Sequence, residues 1–251
     1  MLHLINHLND LLHNKCSKLL ELEIGPYDDF KTRKNVSLYP DEHSKIVLCL
    51  NLLKKKKQCI SSISCKINDE DQSIEILSKT HEKHEGKKYN LLLRSAIILL
   101  AKYTETQDGK PVTKIVSRAI NPISAFSMIK YFNAQNDSLN TYMEENHIEP
   151  VNITLDNVRA YFDENGNIDA NQELTEEEES ALMKKNPEFG NIIDLIVDLK
   201  NDKTIEKTMK TYHETIERIL CPVGITRKRK RKRNSRTYSR SRSRSRSTLS
   251  K

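Results

Sequence analysis

The segment SIEILSKTHEKHEGKKYNLLLRSAIILLAKYTE, Ser73 to Glu105, changes its hydrophobic period halfway along, and this change restricts the fold more than any other feature of the chain. Ile74, Ile76 and Ser78 alternate with Glu75, Leu77 and Lys79, the period of two that belongs to a strand. From Tyr89 to Tyr103 apolar residues surround nearly the whole helical wheel, interrupted chiefly by Asn90, Arg94, Ser95 and Lys102. A helix apolar on every side is a buried helix. Strand, basic glycine-containing turn and buried helix therefore form one unit.

The elements around this unit follow from pattern and breakers. At the N-terminus Leu2, Ile5, Leu8 and Leu12, then Leu19 and Leu20, repeat at three-to-four spacing, which predicts an amphipathic helix on the core. Pro26 and Pro40 break regular structure ahead of KIVLCLNLL, Lys45 to Leu53, an apolar run of strand length. After KKKKQ comes CISSISCKI, where Ile63, Cys65 and Ile67 alternate with polar residues, so the two runs read as antiparallel strands joined by a lysine-rich turn. KPVTKIVSRAI supplies a fourth strand after a QDGKP turn. NPISAFSMIKYFNA then starts a second helix with Asn121 as N-cap and Pro122 at its first position. Residues 136–220 are polar and mostly helical in pattern, with Ile192, Ile193, Leu195, Ile196 and Leu199 on one broad face, followed by Ile205, Met209, Tyr212, Ile216 and Leu220.

Metal chemistry finds little support. The cysteines Cys16, Cys49, Cys59, Cys65 and Cys221 are odd in number and include no C-x-x-C pair, which predicts reduced, intracellular thiols. His3 and His7 share a helical face without a third ligand at a definable spacing. Asp163, Asn165, Gly166 and Ile168 align with a calcium loop only in a register that puts Tyr161 and Gln172 where the first acid and the bidentate glutamate belong, so a polar turn around Asn-Gly is expected. No run approaches 18 consecutive apolar residues and the N-terminus lacks signal-peptide features, which predicts an intracellular protein, nuclear or cytoplasmic, with no membrane partner.

The order of strands, basic turn, buried helix, strand and Asn-capped helix resembles the GNAT acetyltransferases. In that family a loop patterned Arg/Gln-x-x-Gly-x-Gly/Ala, at the start of a helix, holds the pyrophosphate of acetyl-CoA with backbone amides. Unpaired N–H groups and the positive end of the helix dipole make such a site attractive to anions. The matching positions here are Lys83, Gly86 and Lys88; Lys83 keeps positive charge and Lys88 replaces a small residue. A second family pattern, Asn-x-x-Ala-x-x-Leu-Tyr-x-Lys, falls on Asn121, Ser124, Met128 and Lys130, with Met128 where the general-acid tyrosine commonly stands and Tyr131 three residues on. The two matches span about Lys45 to Ala134.

The resemblance implies an α+β fold, a largely antiparallel mixed sheet flanked by helices, in a domain over 1–135; pattern predicts a mostly helical extension over 136–226, and composition a disordered tail over 227–251. It implies transfer of acetyl from acetyl-CoA, as cosubstrate, to an amine-bearing acceptor of unknown identity. Lys83, His84, Glu85, Gly86, Lys87, Lys88, Tyr89 and Asn121 would then bind the cosubstrate, with Glu75 as base and Tyr131 as acid, and no metal. Bland alternatives stand beside each: an ordinary basic loop, a solvent-facing strand carboxylate, a core tyrosine. The rival function is a catalytically inactive GNAT-like scaffold whose tail binds nucleic acid or a protein partner.

The tail RKRKRKRNSRTYSRSRSRSRSTLSK has too little apolar content to offset ordering entropy. It holds thirteen Lys or Arg and no acid, so residues 1–226 carry 29 basic against 35 acidic side chains, about −6, although the whole chain is +7. Such a run suits nuclear import, nucleic acid or, through its serines, a protein kinase. Abundant lysine, asparagine and isoleucine suit an AT-rich genome and, with the tail, a large DNA virus or a protist as source. Removing residues 227–251 should abolish nucleic-acid binding, because counterion release scales with the phosphates neutralised and the clustered cations lie there. The check is a salt-dependent binding titration; an unchanged salt slope in the truncated chain would transfer the role to Lys54–Lys57.

Overall fold

In the computed structural model, the described residues are 2–15, 20–26, 30, 46–53, 57–80, 87–119, 121–164 and 193–217. Among them the strands are β1 (Leu20–Pro26), β2 (Ile46–Leu53), β3 (Lys57–Asn68), β4 (Ser73–Thr80), β5 (Lys114–Ala119) and β6 (Ile193–Asp198). The helices are α1 (Leu2–Lys15), α2 (Tyr89–Ala101), α3 (Pro122–Phe132), α4 (Asp137–Glu145), α5 (Leu155–Glu164) and α6 (Asp202–Thr215), with a short 3₁₀ turn at Pro150–Asn152. The strands form one sheet in chain order, β1 to β6, antiparallel except for the parallel step from β4 to β5 that α2 bridges. This is the mixed, largely antiparallel α+β architecture expected from the sequence.

Alternation sorts the sheet's two faces. Leu48, Leu50, Ile63, Cys65, Ile74, Ile76, Ile115, Leu195 and Val197 belong to one buried cluster, together with α1, α2 and α3 residues. Val47, Cys49 and Cys59 turn to the other face and bury against Phe30. Ten consecutive residues of α2, Leu92 to Ala101, are buried, as an all-round apolar helix requires. The Cys65 thiol sits in this core, and burial pushes its pKa up to about 12.

Two expectations need correction. The N-terminal helix ends by Lys15, and Leu20, read as its continuation, opens strand β1 instead. Leu20 and Leu22 are buried at alternate positions, a strand period hidden behind the preceding leucines. Asn9 of α1 pins this edge strand by accepting from the Leu22 N–H (2.7 Å) and donating to the Leu22 carbonyl (2.9 Å). The segment from Ile192, expected as mostly helical, is a strand from Ile193 to Asp198 followed by α6. Ile193, Leu195 and Val197 are buried while Ile196 is exposed. The sheet therefore runs across the 135/136 division: β6 pairs with β5 from Lys114↔Asp198 to Ala119↔Ile193, and Gln135 exchanges two 2.8 Å backbone hydrogen bonds with Ile196 on its outer edge. Residues 165–172 of the calcium-loop alignment and the tail 227–251 lie outside the described residues.

Helix α6 packs on α2, and its buried side is centred on Thr204, Thr208, Thr211, Tyr212 and Thr215. The Tyr212 hydroxyl donates to the Leu8 carbonyl at 2.8 Å, tying the last described helix to the first. Burial pushes this phenol's pKa up. Tyr212→Phe should cost about 1 kcal/mol, leaving a buried carbonyl without this donor, and should lower the urea midpoint with an unchanged m-value.

Candidate active site at the divergence of two parallel strands

β4 and β5 pair over only four positions, Ser73↔Lys114 to Ile76↔Ser117. Beyond them β4 continues along β3 as far as Ser61↔Thr80, and β5 continues along β6 as far as Ala119↔Ile193. The two strands thus diverge and leave a notch bounded by Leu77–Thr80 on one side and by Arg118, Ala119 and the start of α3 on the other.

Arg94 of α2 spans this notch. Its Nη2 donates to Ser78 Oγ on β4 (3.1 Å) and to Ser124 Oγ in the first turn of α3 (2.7 Å). The side chain is buried, and its Nε has no acceptor. Burial lowers the guanidinium pKa to about 10, which leaves it charged at neutral pH. The first turn of α3 is fixed by Asn121, whose Oδ1 accepts the Ser124 N–H at 2.8 Å, with Pro122 at the first helical position. Asn121 is the expected N-cap, and its side-chain oxygen is committed to that cap.

α2 begins at Lys88, which adopts φ 59, ψ 21 in the left-handed region and offers no side-chain cap; the first turn contains no acidic residue. Lys87 and Lys88 are exposed, and Tyr89 is half-buried, with burial raising its phenol pKa. Lys88 thus holds the conformation that glycine prefers, at the position where the resembled loop has a small residue. Lys83, His84, Glu85 and Gly86 lie outside the described residues.

The two residues expected to act as base and acid are not brought together. Glu75 alternates away from Ile74 and Ile76, onto the opposite face, where its carboxylate lies 3.6 Å from Arg118. Arg118 also lies 3.4 Å from Asp194, so Glu75 and Asp194 flank it across three strands. That second contact lacks hydrogen-bond geometry, and with all three side chains partly exposed the set contributes little to stability. Tyr131 packs half-buried against the main cluster, about 10 Å along α3 from Ser124. Met128, at the position of the family's tyrosine, is fully buried and brings no hydroxyl. Sequence reasoning noted Arg94 only as an interruption of an apolar helix. The signal was there: a lone charge inside a buried run needs a polar destination.

No protein-family model matches the sequence, and no curated protein matches it significantly. Among solved structures the chain is similar to two chimeras of the spermidine N-acetyltransferase SpeG of Vibrio cholerae with hSSAT. These are 14% and 13% identical, at TM-scores of 0.37 and 0.37, each over 74% of this chain and 99% and 98% of theirs. It is also similar to a mutant of the cAMP-binding acyltransferase of Mycobacterium smegmatis, 10% identical at a TM-score of 0.31, over 86% of this chain and 60% of that one. Overlaps this low carry no inference about activity.

Left-handed backbone at a non-glycine residue costs about 1 kcal/mol. Lys88→Gly should therefore stabilise the fold by about 0.5–1 kcal/mol and raise the melting temperature by a few degrees, read by thermal denaturation.

Proposed function

We propose that this chain is an acetyl-CoA-dependent N-acyltransferase-like protein that passes its acyl group to an amine. The observation that supports this most is the divergence of parallel β4 and β5 at one end of α2, with the basic Lys87–Lys88 start of that helix beside it. A notch between strands is a place for an extended thioester arm, and amides and lysines at a helix start suit a diphosphate. The described residues are compatible with that group: the helix start is cationic, exposed and without acid in its first turn. Lys83 to Tyr89 would hold the diphosphate, and Ser78, Arg94 and Ser124 line the notch. In the transfer the amine nitrogen forms a bond to the thioester carbonyl carbon, the carbon–sulfur bond breaks, and the sulfur leaves as thiolate. With Glu75 ion-paired on the other face and Tyr131 displaced along α3, the proposal gives the amine proton to water.

A second reading keeps the fold without the chemistry, as a scaffold for the basic tail. Buried Met128 and the bulky Lys88 favour it, since each replaces a residue type that the resembled site uses. Acetyl-CoA titration calorimetry on the full chain separates the two. Saturable binding that weakens with salt is expected, with Lys87→Glu/Lys88→Glu reducing affinity about tenfold. Gly86→Val should also weaken binding without lowering the melting temperature, because a loop approaching a diphosphate tolerates little beyond a backbone. No heat at millimolar acetyl-CoA would leave the scaffold reading in place.

A further inference from the structure

The buried guanidinium of Arg94 has no anion among the described residues. Its hydrogen-bond acceptors are two neutral hydroxyls, both contacted through Nη2, while Nε has no acceptor. No carboxylate among the described residues forms an ion pair with it. Arg118, one strand position past the last β4–β5 pair, provides the contrast, since it lies between Glu75 and Asp194 on the other face. Burying a cation without a counter-charge is costly, and buried charges are as a rule paired. Here the cation is fixed in place: Ser78 holds it from the β4 side of the notch, and Ser124, positioned by the Asn121 cap, from the other.

We propose that Arg94 selects a carboxylate on the transferred acyl group, so that the preferred donor is a dicarboxylic acyl thioester of the succinyl or malonyl class rather than acetyl. This rests on the acyl-CoA reading of the notch and deepens it. A guanidinium presents a planar fork that matches a carboxylate with two parallel hydrogen bonds, and Nε with one terminal nitrogen is a standard pair of donors for it. Ser78 and Ser124 are positioning residues, which keep the fork in the notch while no carboxylate is bound. The methyl of an acetyl group would leave the guanidinium's charge uncompensated, whereas a terminal carboxylate neutralises it. Transfer itself is unchanged: the carbon–nitrogen bond forms, the carbon–sulfur bond breaks, and the distal carboxylate takes no part.

The test is titration calorimetry of the full chain with succinyl-CoA, acetyl-CoA and CoA. Succinyl-CoA should bind about tenfold or more tightly than acetyl-CoA, the scale of a charge-assisted hydrogen bond. Arg94→Gln should bring the succinyl-CoA and acetyl-CoA affinities together. Should Arg94→Gln fail to fold, the comparison in the unaltered protein still decides. Equal affinities there would overturn the inference alone, and absence of binding by any of the three would overturn the acyl-CoA reading with it. A succinyl preference that survives in folded Arg94→Gln would remove Arg94 from the explanation. Titrating the acetyl-CoA-saturated chain with glycine and with methylamine distinguishes the other source of a carboxylate. A preference for glycine that depends on Arg94 would assign the charge to the acceptor and overturn the proposal.

Discussion

Helix α2 has no polar side, and the rest of the structure is arranged to cover it. A rod of 13 residues, about 20 Å long, with Leu92 to Ala101 buried in succession, needs a surface beneath it and others above. β2, β3 and β4 lie beneath it, and α1 and α6 complete the cover. Because α1 comes from one end of the described chain and α6 from the other, the core closes only when the ends meet. The bond from Tyr212 to the Leu8 carbonyl marks that meeting point. The strand that precedes α6 is thereby delivered to the free side of β5, so residues long past the resembled motifs belong to the same sheet.

How much of this was legible depended on whether one period dominated locally. β2, β3, β4, α2 and α3 were readable because each carries an unambiguous run or alternation with breakers at its ends. β6 was not: Ile193, Leu195 and Val197 give the strand period, but Ile192, Ile196 and Leu199 also complete a helical face, and pattern alone does not arbitrate between the two over so short a run. Pairing with β5 decides it, a tertiary fact. α6 was recognised as a helix, and Tyr212 of its expected face and Ile216 just beyond it are fully buried, but the threonines beside them were not read as part of that face. Ile205 and Met209 are only partly buried, while Thr204, Thr208, Thr211 and Thr215, counted as polar, fill the contact with methyl groups. Thr208 directs its hydroxyl to the Thr204 carbonyl at 2.7 Å, so its polarity is satisfied within the helix and the methyl is left for packing.

The site was legible to a different depth. Asn121 was readable as a cap because a capping side chain acts on its own neighbours, and Lys88 could be placed at the start of α2 by simple register. Glu75 and Tyr131 could be named from the resemblance but not placed, since strand alternation puts Glu75 on the opposite face of the sheet and helix length puts Tyr131 about 10 Å along α3 from Ser124. Arg94 is the converse case. Its position in the helix was plain, but the direction of a long side chain is set by what surrounds it, and Ser78 and Ser124 are 16 positions before and 30 after it.

The two arginines near the divergence show how the same residue type is handled in two ways. Arg118 is half-exposed and flanked by two carboxylates, so its charge is balanced where it stands and water screens what is left. Arg94 is buried, keeps its charge at neutral pH despite a pKa lowered to about 10, and among the described residues bonds only to hydroxyls. A hydrophobic residue of similar volume would fill that space without the desolvation cost. The neighbouring α2 residues Leu92, Leu93, Ile97 and Ile98 show that this helix is otherwise built that way. The cost falls where β4 and β5 stop pairing. Stability alone gives no reason to concentrate an uncompensated charge there, whereas recognition of an anion does.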